Sequence, residues 1–157
     1  ARCPALYGGI GEMMRNSCDH AFKDKNSIIW HLGISHFDND NSCKFSFVDN
    51  GKGIIETYNQ KGIINTISKF FKDNADILKE AFEDGIESRT GLSWRGKGLP
   101  TIYEMYTDEI ITNLVVISNN VYLDFDRKIF KKIPMGFSGT YYYWKIDSNC
   151  NQSYYKT

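Results

Sequence analysis

The chain lacks a charge imbalance, since nineteen Lys and Arg are matched by nineteen Asp and Glu. Without a large field of one sign, nucleic acid and anionic membrane surfaces are poor default partners. Long apolar runs are missing too: none exceeds a handful of residues, against the roughly 20 needed to cross a bilayer, and no charged-then-apolar signal segment opens the chain. Cys3, Cys18, Cys43 and Cys150 form no C-x-x-C pair and no Cys/His cluster at zinc spacing. Because Cys18 falls in a helical pattern and Cys43 in a strand pattern, buried free thiols are expected rather than disulfides. Repeats and low-complexity tracts are absent. The expectation is a cytoplasmic domain with no membrane segment and no direct nucleic-acid binding.

What is present is a hydrophobic, aromatic composition, 41% apolar with ten Tyr and ten Phe in 157 residues, enough for one globular core. The chain reads as a single domain over 1–157, with an irregular entry at 1–8 and a polar tail at 148–157. It begins with Ala rather than Met, as a piece of a longer protein would.

Ile10, Met13, Met14, Cys18, Ala21 and Phe22 recur at helical spacing and predict an amphipathic helix over about 10–23. On its polar side Glu12, Asn16 and Asp19 fall within about 60° of one another at 100° per residue. Residues 27–37 read as a strand, Asp38 to Ser42 as a turn, and 44–48 as a second, alternating strand that runs into Asp49-Asn-Gly-Lys-Gly53. Two helices are predicted at 62–72 and 75–85. A glycine-rich polar stretch at about 85–98 reads as a mobile lid, and a further helix begins at Leu99. Strands are predicted at 109–117, 120–125 and 139–146. This order implies an α/β (α+β) two-layer sandwich: a mixed, mostly antiparallel sheet of four or five strands with helices on one face.

Three stretches carry chemistry. Glu12 and Asn16 lie one helical turn apart; an amide oxygen is a hard, neutral magnesium ligand, and a neighbouring carboxylate can act as general base toward water. Asp49, at a strand end, can accept a hydrogen bond from an exocyclic amine, and Gly51 and Gly53 let backbone approach a flat ring. Taken alone that segment is also an ordinary Asp/Asn-Gly turn, whereas an EF-hand is excluded by glycines at the third and fifth places. Arg95-Gly96-Lys97-Gly98-Leu99 precedes a helix N-terminus, where exposed amides favour phosphate, although no Walker pattern is present. His20, His31 and His36 form no ligand set. Ser17 reads as helix packing rather than a nucleophile, and Tyr141 to Trp144 as strand filling.

In combination and order, EMMRNSCDHA (12–21), FVDNGKGI (47–54), RGKGL (95–99) and Gly139-Thr140 resemble the four motif blocks of the GHKL ATPases, the superfamily of gyrase, the ninety-kilodalton heat-shock chaperones, histidine kinases and MutL. The first block is most similar to the gyrase and MutL version. The resemblance implies a Bergerat ATP-binding fold that uses ATP and Mg2+. In it Asn16 holds the metal, Asp49 meets the adenine amine, and Gly51, Gly53 and Ile54 shape the base pocket. Gly96, Lys97, Gly98 and Leu99 cradle phosphates, Thr140 supports the adenine contact, and Glu12 activates water. A carboxylate at position 12 leans toward hydrolysis driving a conformational switch. The alternatives are a protein kinase of the histidine-kinase or anti-sigma serine-kinase type and a non-catalytic ATP/ADP sensor. A homodimer or an adjoining domain is the expected protein partner. The last glycine box lacks a fuller G-x-G-x-G, with Trp94 and Arg95 in its place.

Overall fold

In the computed structural model the described residues are 2–18, 29–67, 73–83 and 98–155. Alternating polar and apolar residues over Lys44 to Val48 make one face of a strand apolar, and that strand organises the sheet. The strands are β1 (Trp30–Phe37), β2 (Ser42–Asp49), β3 (Thr112–Asp124) and β4 (Ile129–Ile146). They form one antiparallel sheet in the order β1-β2-β4-β3, so no parallel pair occurs among the described residues.

Phe47 pairs with Tyr142, which pairs with Val116, placing these side chains on one face; all three are buried there with Trp144 and Leu114. Aromatic rings join the layers, with Trp30 stacked on Phe47 at 5.6 Å, Phe47 edge-on to Tyr142 at 6.1 Å and Tyr142 edge-on to Phe82 at 6.3 Å. Burying each of these large side chains is worth about 1.5–3 kcal/mol, more than any single net hydrogen bond at about 1 kcal/mol, so burial selects the face. The other face, with Ser46, Val48, Tyr141 and Tyr143, is only half-buried. The fold is thus α+β, an open antiparallel sheet with helices packed on its apolar face.

The helices are α1 (Pro4–Asn16), α2 (Ile54–Gln60), α3 (Ile63–Ile67), α4 (Asn74–Glu83) and α5 (Gly98–Thr107). Helix α1 begins at Pro4, so the irregular entry expected over 1–8 is corrected: proline's fixed φ and missing N–H suit a first turn, and Gly8 and Gly9 are carried inside the helix. At the other end the α-helix stops at Asn16, with Ser17 and Cys18 in a wider π turn. Helix α2 has no counterpart among the expected helices; α3 occupies the described part of the helix expected over 62–72, and residues 68–72 lie outside the described residues. The strands expected at 109–117 and 120–125 are one strand, β3, with register shifts at Ser118 to Val121; β4 likewise starts ten residues before Gly139 and runs through Pro134. The polar tail is docked: Asn151 donates from its backbone N–H to Glu109 O at 2.7 Å, and the Tyr155 hydroxyl donates to Ile110 O. All four cysteines are free; Cys3 and Cys150 are buried, whereas Cys43 is only half-buried and Cys18 is exposed, against the expectation of buried thiols at both.

Candidate functional site

Helices α1 and α5 run antiparallel in close contact. Gly9 lies against Met105, where a Cβ would stand 2.3 Å from the thioether sulfur. At the other end of the crossing Gly98 faces Glu12 and Asn16: a Cβ on Gly98 would come within 2.7 Å of Glu12 Oε2 and 3.3 Å of both Asn16 amide atoms. The first turn of α5, with the amides of Gly98 and buried Leu99, therefore meets the polar face of α1. Glu12 is largely covered and paired with the exposed Arg15. The Asn16 side-chain nitrogen is buried with no hydrogen-bond partner. A buried orphan donor costs about 1–3 kcal/mol, so this amide is poised for a group that supplies an acceptor.

Asp49 is the last residue of β2, and only 4% of it is exposed. Its Oδ1 accepts from the Gly51 N–H at 2.8 Å, a local turn of the kind Asp forms with the residue two ahead. Its Oδ2 accepts from the Ser17 hydroxyl at 3.1 Å. Burial pushes the Asp49 carboxyl above its ordinary value of 3.8, against the opposing pull of hydrogen bonds from Gly51, Ser17 and Thr140. Since Ser17 follows Asn16, this bond joins the carboxylate to the helix end that carries the orphan amide. Asp49, Asn16, Glu12 and Gly98 consequently lie along one line of contacts.

The segment after Asp49 is fastened to β3 and β4. Gly53 has φ +80°, and a Cβ there would lie 2.5 Å from Asn119 Oδ1 and 2.7 Å from Gly139 O. Gly139 has φ +123°, and a Cβ on it would strike Asp49 O at 2.0 Å. Both positions require glycine. Ile54, the first residue of α2, donates its N–H to Ser118 Oγ at 2.8 Å, and Ser118 Oγ lies 3.3 Å from the hydroxyl of buried Thr140. The Ser138 hydroxyl donates to Gly51 O at 3.0 Å, and Asn119 Nδ2 to Lys52 O at 2.7 Å.

Among the sequence-derived candidates, Glu12, Asn16, Gly98 and Leu99 are thus gathered at the α1–α5 crossing; Asp49, at the end of β2, joins them through Ser17, and Gly51, Gly53, Ile54 and Thr140 surround it from the following loop, the start of α2 and the middle of β4. Gly96, Lys97, Trp94, Arg95, Asp19 and Ala21, and the lid expected at 85–98 apart from Gly98, lie outside the described residues. Sequence reasoning missed Ser118, Asn119 and Ser138. Ser118 and Asn119 fall between two expected strands because such residues usually mark a turn; here they occupy a bulged strand and tie down a neighbouring loop. Ser17 does pack its helix, but its single hydroxyl hydrogen is shared between Met13 O at 3.0 Å and Asp49 Oδ2 at 3.1 Å.

No group of three or more His, Cys, Asp or Glu among the described residues is arranged to hold a metal ion. An ion at Asn16 would need oxygens from a bound ligand to complete its shell. No helix among the described residues is long and apolar enough to cross a membrane. No protein-family model matches the chain, and no curated protein matches it.

Proposed function

We propose that the chain is an ATP-binding domain of the GHKL class with the Bergerat fold, hydrolysing ATP with Mg2+ and acting as a nucleotide-driven conformational switch. The supporting observation is the continuous line from a buried strand-end carboxylate to an orphan helix amide at a second helix's N-terminus. A purine amine and a polyphosphate need those two chemistries on one surface, separated by the length of a nucleoside. The Asp49 carboxylate accepts the hydrogen bond of the adenine amine, and Thr140 beside it completes the polar floor. Ser138 holds Gly51 through its carbonyl, and Gly53 packs without a Cβ against Asn119 and Gly139, which fixes the loop that follows Asp49. At the other end the Asn16 amide and the N–H groups of Gly98 and Leu99 face the phosphates, with the positive end of α5 adding its field.

The residues fit magnesium: Asn16 supplies one neutral hard oxygen, and the ion, when bound, neutralises phosphate charge. Glu12 lies against the same turn of α5 and orients or deprotonates the attacking water. Its pairing with Arg15 holds the carboxylate at this end of α1.

The test is ATP-binding calorimetry with magnesium on wild type and Asp49→Asn. Asparagine still accepts from Gly51 N–H, so the fold is retained, but its amide cannot replace both carboxylate oxygens. Losing a charge-assisted hydrogen bond of about 1.5–3 kcal/mol predicts roughly tenfold to hundredfold weaker binding. Equal affinity for the two proteins refutes the adenine contact.

A further inference from the structure

Among the described residues strand β1 is an edge of the sheet, and it is exposed along nearly its whole length. Ile29 is 49% exposed, Leu32 36%, Ile34 60% and Phe37 42%. From Ile29 to Phe37 the sequence IWHLGISHF contains no Asp, Glu, Lys or Arg. Sheet edges are ordinarily protected by charge, proline or a bulge, because unpaired N–H and C=O groups invite another strand. This edge carries no such protection within its own sequence.

The backbone direction is fixed by the pairing with β2. Asn50 N–H bonds Ile29 O, and Ile29 lies opposite Asn50 in the continuing register, so odd-numbered residues of β1 turn their polar groups toward β2. Trp30, Leu32, Ile34 and His36 therefore direct theirs outward.

The apolar side chains along the edge are disposed symmetrically about Gly33: Leu32 mirrors Ile34 and Ile29 mirrors Phe37, while the uncharged pairs His31 with Ser35 and Trp30 with His36 differ in kind. An antiparallel copy of the strand centred on Gly33 sets like beside like: Leu32 against Ile34 of the second copy on the helix-side face, and Ile29 against its Phe37 on the other. In the same register the outward-facing polar groups of Leu32 meet those of Ile34, and those of Trp30 meet those of His36, as hydrogen-bonded pairs require. With no charge along the strand, nothing repels its own copy.

We infer that β1 is the interface through which two copies of this chain associate, edge to edge about a two-fold axis at Gly33, to make one continuous eight-stranded antiparallel sheet. Such an interface is isologous and closes on itself, so it yields a dimer rather than a fibre. It is independent of nucleotide.

Sedimentation velocity over a concentration series tests it. Wild type is expected to show a monomer–dimer equilibrium. Ile34→Lys and Leu32→Glu, each at an exposed position, are each expected to remain monomeric with unchanged circular dichroism. Mixing the two variants restores a heterodimer, because the introduced lysine of one chain then faces the introduced glutamate of the other while the second Leu32–Ile34 pair is kept. A wild type that stays monomeric at every concentration overturns the proposal; so does a dimer that both variants retain. Failure of the mixture to restore association overturns the register about Gly33. On wild type alone, hydrogen exchange supplies an independent check: the amides of Leu32 and Ile34 become protected as concentration rises, and protection that does not depend on concentration contradicts the interface.

Discussion

Replacing Gly139 by alanine should disrupt the site by forcing β4 away from the end of β2. Two costs add. The φ of +123° lies where L side chains are disfavoured, costing about 1–3 kcal/mol. The new Cβ would also stand 2.0 Å from Asp49 O and 2.9 Å from Asp49 C, which are backbone atoms of a paired strand and cannot swing aside; overpacking of this kind costs about 1–3 kcal/mol. Alanine's smaller unfolded-state entropy offsets about 0.4–1 kcal/mol. The net expectation is about 1–5 kcal/mol of destabilisation in urea or guanidinium unfolding. Two other glycines separate the costs. Gly62 has φ +69° but open space around it, so Gly62→Ala should show only the conformational part, about 1 kcal/mol. Gly136 has neither, and Gly136→Ala should fall within about 0.5 kcal/mol of wild type. Should Gly139→Ala prove no more harmful than Gly62→Ala, the close approach of β4 to Asp49 is wrong.

Glu12→Ala is expected to lower ATP turnover by about 10²–10⁴-fold while ATP affinity, read by calorimetry, stays close to wild type; unchanged turnover removes Glu12 from the chemistry. Asp49 also predicts a pH signature. Its folded pKa lies above 3.8, so the native state binds the proton more tightly than the unfolded state, and this carboxylate's contribution to stability increases as pH falls through the raised value toward 3.8. ATP affinity should move the opposite way in the same window, since protonation removes the acceptor for the adenine amine. Asp49→Asn should lack this stability increment in acid unfolding curves; an identical pH dependence in both proteins would mean that burial does not perturb Asp49.

Periodicity revealed those elements whose burial follows a simple alternation. In β2, Phe47 is inward and Val48 outward, and in α4, Ile77, Leu78, Ala81 and Phe82 form one stripe. It failed where position is set by partners remote in sequence. Helix α2 exists because Gly53 caps it at φ +80° and Ser118, more than sixty residues away, receives the Ile54 N–H. The long β3–β4 hairpin was divided into pieces because Asn119 and Pro134 are turn formers by preference, and a bulged register accommodates them. Glu12, Asn16 and Asp49 could be singled out individually because each has a distinctive chemical capability at a helix face or strand end. Their meeting could not be read, because it depends on one hydroxyl, that of Ser17, and on a helix crossing tight enough to demand Gly9 and Gly98.

The most direct measurement is a crystal structure of the protein with magnesium and a non-hydrolysable ATP analogue. The adenine amine is expected within hydrogen-bonding distance of Asp49, and the phosphates between Asn16 and the first turn of α5. An analogue seated elsewhere, such as the open cleft of about 470 Å³ bounded by Lys52, Glu56, Asn119 and Phe137, with Asp49 still bound only to Ser17, Gly51 and Thr140, would contradict the proposed site.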